Sequence, residues 1–110
     1  MSDSETAAYV ERVVAAVPEL QPVLQEHLDD NLGELLPHVL FGDVTRWAQA
    51  EAEADAGSEP LQRLLTQLED GLANGGPDVQ GLIVASFVEN VDDDSPLLGR
   101  LPDALLRQRQ

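Results

Sequence analysis

The chain contains no cysteine and no lysine, few aromatic residues and no long apolar run. The missing cysteine excludes disulfides, thiolate metal sites and cysteine nucleophiles, and it fits a reducing compartment. The missing lysine leaves all side-chain cation chemistry, histidine aside, to six arginines, which face 21 acidic residues for a net charge of −15. Contacts to phosphate groups need clustered basic residues, so neither nucleic acid nor an anionic membrane surface is an expected partner. The aromatics, Tyr9, Phe41, Trp47 and Phe87, give little capacity for stacking on bases. No apolar stretch approaches the roughly 18 residues of a membrane span. The acidic start, Met1-Ser2-Asp3-Ser4-Glu5, lacks the apolar centre of a secretory signal. Together these absences point to a cytoplasmic protein.

What is present is enough to fold. Hydrophobic residues make up 43% of 110 residues, which separates the chain from acidic disordered tails. The length fits one domain, spanning 1–110. Strand alternation is absent and helical periodicity recurs, so the expected class is all-α, a compact bundle of five to six short helices.

The first helix is expected over 6–17, with Tyr9, Val10, Val13, Val14 and Val17 on one face, Ser4 or Thr6 as cap and Pro18 as stop. A second runs from about Pro22 to Asp30 and ends at Asn31-Leu32-Gly33, with Gly or Asn in the left-handed position. Residues 34–41 read as one helical turn or an extended link, interrupted at Pro37. Asp43 then caps a helix from Val44 to about Ala56, with Val44, Trp47 and Ala48 inward and a fraying, solvated second half. Leu61, Leu64, Leu65, Leu68 and Leu72 form an amphipathic stripe closed by Asn74-Gly75-Gly76. From Pro77 to Val91 the chain is apolar on most of its circumference, which marks a central helix. A short helix near 102–108 buries Leu101, Leu105 and Leu106.

Catalytic patterns are missing. His27 and His38 are the only histidines, and no HExxH or comparable ligand spacing joins them to carboxylates, so no metal or other cofactor is expected. No serine or threonine sits in a nucleophile elbow or next to a histidine in the chain. Gly75-Gly76-Pro77 reads as a turn rather than a phosphate loop. The expectation is a protein that is not an enzyme.

The acids themselves are distributed unevenly. Residues 1–99 hold 20 acids against three arginines, net −17, whereas 100–110 hold Arg100, Arg107 and Arg109 against Asp103, net +2. That basic tail is expected to fold back on the acidic body or to complement a helix dipole. Two clusters follow predicted helix ends, where the dipole disfavours negative charge: Asp29 and Asp30 with Glu34, and Asp92-Asp93-Asp94. These six are the candidate partner-binding residues; Arg100 is a candidate internal partner for Asp29 and Asp30. Asp43 and Arg46, three apart, are placed to pair on one helix face.

Two blocks, Gly33 to Trp47 (GELLPHVLFGDVTRW) and Leu82 to Val91 (LIVASFVENV), resemble a family of small bacterial proteins of unknown function that shares GELLPHxxFGDxxRW and LIxxSFxENV. The resemblance covers about Val10 to Leu106. It implies a small helical bacterial domain and brings no activity and no catalytic residue with it.

The partner that this composition would attract is a basic protein. The first expectation is an immunity protein or toxin inhibitor that occludes a basic partner such as a nuclease, with acids filling its phosphate sites around an apolar anchor. The alternative is a non-catalytic regulatory or accessory domain, homodimeric through an amphipathic helix.

Overall fold

The structure is a computed structural model that describes residues 2–109, with side chains described from 5 to 109. Six α-helices run in chain order: α1 Ser2–Ala16, α2 Gln21–Asp30, α3 Pro37–Ala54, α4 Glu59–Asn74, α5 Pro77–Ser86 and α6 Asp103–Leu106. Short 3-10 turns at Pro18–Leu20, Val88–Asn90 and Pro96–Arg100 join them, and the described residues contain no strand. The all-α expectation holds.

Proline sets the helix starts. Pro18, Pro22, Pro37, Pro60, Pro77 and Pro96 each stand at the first or second position of a helical element, and Pro102 caps α6, which accounts for all seven prolines. At such positions the missing N–H has no intrahelical acceptor anyway, and the ring fixes a helical φ. Ser58 adds a side-chain cap for α4, its hydroxyl accepting the Leu61 N–H at 3.3 Å.

The apolar stripes converge on one core. Tyr9, Val10, Val13 and Val14 of α1, Leu40, Phe41 and Val44 of α3, and Leu61, Leu64, Leu65 and Leu68 of α4 are all buried. α5 packs against α1, α3 and α4 at once, and Val79, Leu82 and Ile83 are almost fully enclosed, so the expected central helix is central. The radius of gyration is 12.9 Å, the size of a compact chain of this length, for which about 13 Å is typical. Gly71 of α4 lies under the Tyr9 ring, and a Cβ there would come within 2.6 Å of the Tyr9 hydroxyl and 2.8 Å of Ile83 Cδ1. Glycine at this point lets α1, α4 and α5 approach closely.

Several boundaries differ from the sequence expectation. α1 begins at Ser2, so Ser4 and Thr6 lie inside it and neither is the cap. The link around Pro37 is instead the first turn of α3, which continues through Gly42 and Asp43 without a break. Pro37 starts this helix, and Leu40, Phe41, Val44, Thr45 and Ala48 form one buried face across Gly42. That burial outweighs the ~1 kcal/mol that a mid-helix glycine costs. Asp43 is therefore a surface residue of α3, paired with Arg46 as its spacing predicts, and not an N-cap. Trp47 is half-buried at the core's edge, while Ala48 and Ala52 face inward. The end of α3 is tied down, with the Ser58 hydroxyl donating to Glu51 at 2.9 Å. α5 stops at Ser86 and a 3-10 turn carries Val88 and Val91 inward. Leu101 and Leu105 are buried, but Leu106 is exposed.

Candidate functional site

The six candidate acids fall on two loops with different surroundings. The first follows α2. Asn31 is its C-cap, and the Gly33 N–H reaches back to the Leu28 carbonyl at 2.7 Å. This is the six-to-one bond of a Schellman ending, and it places Leu32 at the position where the chain turns left-handed. Leu32 has φ 57°, and Gly33 follows at φ 81°. Glycine usually occupies the first of these positions, because an L side chain there costs roughly 1–2 kcal/mol. The Leu32 side chain is 99% exposed, so no contact within the chain offsets that cost. Asp29, Asp30 and Glu34 surround it in sequence, all exposed, and only Asp29 is engaged, accepting from Gln25 at 3.0 Å.

His27 holds this loop from behind. Its ring is buried, and Nε2 accepts the Leu36 N–H at 3.0 Å while its backbone carbonyl accepts Asn31 Nδ2 at 2.7 Å. Asn31 Nδ2 also lies 3.3 Å from Nδ1 of the ring. His27 thus holds both ends of the turn, through its backbone carbonyl at Asn31 and its ring at Leu36. Among the described residues no group of three or more His, Asp or Glu converges as a metal site.

The second cluster is partly neutralised from within. Arg109 donates to the Val88 and Val91 carbonyls at 3.0 and 2.8 Å and pairs with Asp93. The Asp92 N–H donates to Gln49 Oε1 at 2.7 Å. The basic tail therefore does fold back, and it caps the carbonyl end of the α5 segment. An open cleft of about 450 Å³ lies beside it, lined by Glu89, Asn90, Val91, Asp92, Asp93 and Arg109.

Two other arginines are used in the same manner. Arg63 of α4 donates to the Ala16 carbonyl at 3.0 Å, at the end of α1, and chelates Glu19 at 2.9 and 3.2 Å. That hydrogen bond holds the Glu19 carboxyl below the usual carboxylate range. Arg100 donates to the Ala56 and Ser58 carbonyls at 2.5 and 3.4 Å, pinning the α3–α4 turn. It is thus committed elsewhere and is not the internal partner of Asp29 or Asp30.

One contact had no signal in the chain. His38 Nδ1 and Ser86 Oγ lie 2.6 Å apart, although 48 residues separate them. Ser86 is 6% exposed, and its carbonyl accepts from Thr45 and Asn90 at 3.1 and 2.9 Å. The pair ties the end of α5 to the start of α3.

Residues 10–109 match the model of a family described as a domain of unknown function, DUF7674. The chain belongs to that family. The DUF7674 match runs over both acidic loops and all three arginines that cap carbonyls. No curated protein and no solved structure matches this chain. No helix among the described residues is long and apolar enough to cross a membrane.

Proposed function

We propose that this DUF7674 member is a protein-binding protein that covers a basic partner, an immunity protein or inhibitor of a basic toxin such as a nuclease, acting in the bacterial cytoplasm. The observation that carries this reading is how the cations are used. Arg63, Arg100 and Arg109 serve helix ends and turns, and Arg46 pairs within its own helix. Among the described residues only Asp43, Glu19 and Asp93 are held in ion pairs. Most of the remaining described carboxylates are exposed and form no ion pair, which gives an outward-facing negative field. Such a field steers a basic partner into contact and lowers the cost of bringing its cations together. Inhibition would follow by occlusion, with Asp and Glu occupying sites that hold phosphates. Nucleic acid and anionic membrane are repelled by the same field.

The test is co-expression with the product of the adjacent gene, followed by titration of the purified pair. The dissociation constant is expected to rise roughly tenfold or more between about 0.05 and 0.5 M salt. A partner that is not basic, or an affinity indifferent to salt, overturns the reading.

A second reading, a regulatory domain that self-associates, has one supporting observation. An open groove lined by Leu72, Pro77, Gln80, Gly81, Val84 and Gln108 carries no charged side chain. Light scattering distinguishes the two, since a stable dimer without any partner favours the second.

A further inference from the structure

We propose that the α2–α3 junction, and not the Asp92–Asp94 loop, is the docking surface, with Leu32 entering an apolar recess in a basic protein and Asp29, Asp30 and Glu34 meeting cations around it. This rests on the reading of the partner as basic and goes further by naming the surface and its anchor.

Three observations select this junction. Leu32 is 99% exposed and Val39 is 52% exposed. Among the described residues they are two of the three exposed large hydrophobics, and they lie seven positions apart on one loop and the helix turn that follows. Leu35 and Leu36, half-buried between them, extend the apolar character toward the core. Charge supplies the second observation. Asp30 and Glu34 are exposed and form no ion pair, whereas Asp93 is already bound by Arg109. A partner's arginine meets no internal cation at the first loop, whereas at the second Arg109 already engages Asp93 and leaves Asp92 and Asp94 unpaired. An apolar centre with a charged rim is the common arrangement of an energetic anchor at an interface.

The third observation is rigidity. The turn is held by the Gly33 N–H to Leu28 carbonyl bond, by Asn31 on the His27 carbonyl and by the Leu36 N–H on the His27 ring. Leu36 itself is extended, at φ −117° and ψ 91°, as the following Pro37 requires. Leu32 is thereby presented in one backbone conformation. An anchor fixed before binding loses little freedom on docking.

The test separates the surface from the charge. Two probes are titrated into the nitrogen-15-labelled full chain at low salt: a peptide of alternating arginine and leucine, and octa-arginine as the charge-only control. The Arg–Leu peptide is expected to shift the amides of 28–39. Leu32→Asn is expected to weaken that peptide roughly tenfold while changing octa-arginine by less than about twofold. Asparagine tolerates the left-handed backbone, so the variant is expected to melt no lower than the parent. A lower melting temperature would show that Leu32 makes contacts within the fold. Shifts centred on 89–94, or equal affinities for parent and variant, overturn the surface and leave the basic-partner reading standing. If neither peptide binds, the basic-partner reading itself falls. If the free chain is a dimer that Leu32→Asn dissociates, the occupant is a second copy and the proposal fails.

Discussion

Tyr9 shows how much a single residue can report in this composition. Its ring is buried, its hydroxyl donates to the Gln67 carbonyl at 3.0 Å, and the Arg12 guanidinium lies 5.7 Å from the ring centre. Burial raises its pKa well above the ordinary tyrosine value; Arg12 opposes this and Asp70 adds to it. A raised pKa in the fold means that the associated stability is intact below the unfolded value of about 10 and is lost as pH rises toward the folded value. With no lysine and no cysteine, Tyr9 is the only side chain that titrates in that range. Tyrosinate absorbance is therefore expected to appear together with loss of helical circular dichroism above about pH 10. Tyr9→Phe is expected to lose about 1 kcal/mol at neutral pH with the Gln67 hydrogen bond, and to abolish the alkaline transition. Phenolate appearing while the helices remain intact would contradict the burial argument. The sequence marked Tyr9 as core by its position among the α1 valines, but not its hydrogen bond to a residue 58 positions away.

At the scale of the element, two glycines in neighbouring helices should respond oppositely to the same change. Gly71→Ala places a methyl against the Tyr9 ring and Ile83, and is expected to destabilise by about 1–3 kcal/mol despite alanine's better helix propensity. Gly81, in α5, has nothing within 4 Å of a Cβ, so Gly81→Ala is expected to stabilise by about 0.5–1 kcal/mol. Urea unfolding of both variants checks the pair, and the same sign for both would refute the packing argument. Elements were legible where one pattern stood alone, as in the α4 leucine stripe and the proline-led helix starts. They were misread where two signals competed. Gly42-Asp43 resembles a boundary, and only the packing of α3 against α5 shows that the helix passes through it. The candidate site was legible only in part for the same reason. Composition and helix ends identify Asp29, Asp30 and Glu34 and place Leu32 in the turn after α2. Neither gives any sign that Leu32 is fully exposed, or that Arg109 pairs with Asp93. Those facts depend on contacts between distant parts of the chain.

For the whole molecule, the balance of charge sets the response to salt. A fold held by ion pairs weakens when they are screened, whereas one with a large uncompensated charge gains because self-repulsion is screened. With a net charge of −15 and few ion pairs among the described residues, the second effect should win. Raising sodium chloride from about 0.01 to about 0.5 M is expected to lift the melting temperature by about 5 °C, equivalent to about 1 kcal/mol. A fall would mean that the few ion pairs matter more than the field. The prolines at the helix starts carry a different consequence. Each fixes its own φ, and the residues before Pro37, Pro77, Pro96 and Pro102 are extended, so these corners have few conformations to lose. A molecule with stiff corners arrives at an encounter already shaped. Association should then show little ordering entropy to overcome, and differences in affinity among related partners should appear mainly in how slowly they leave.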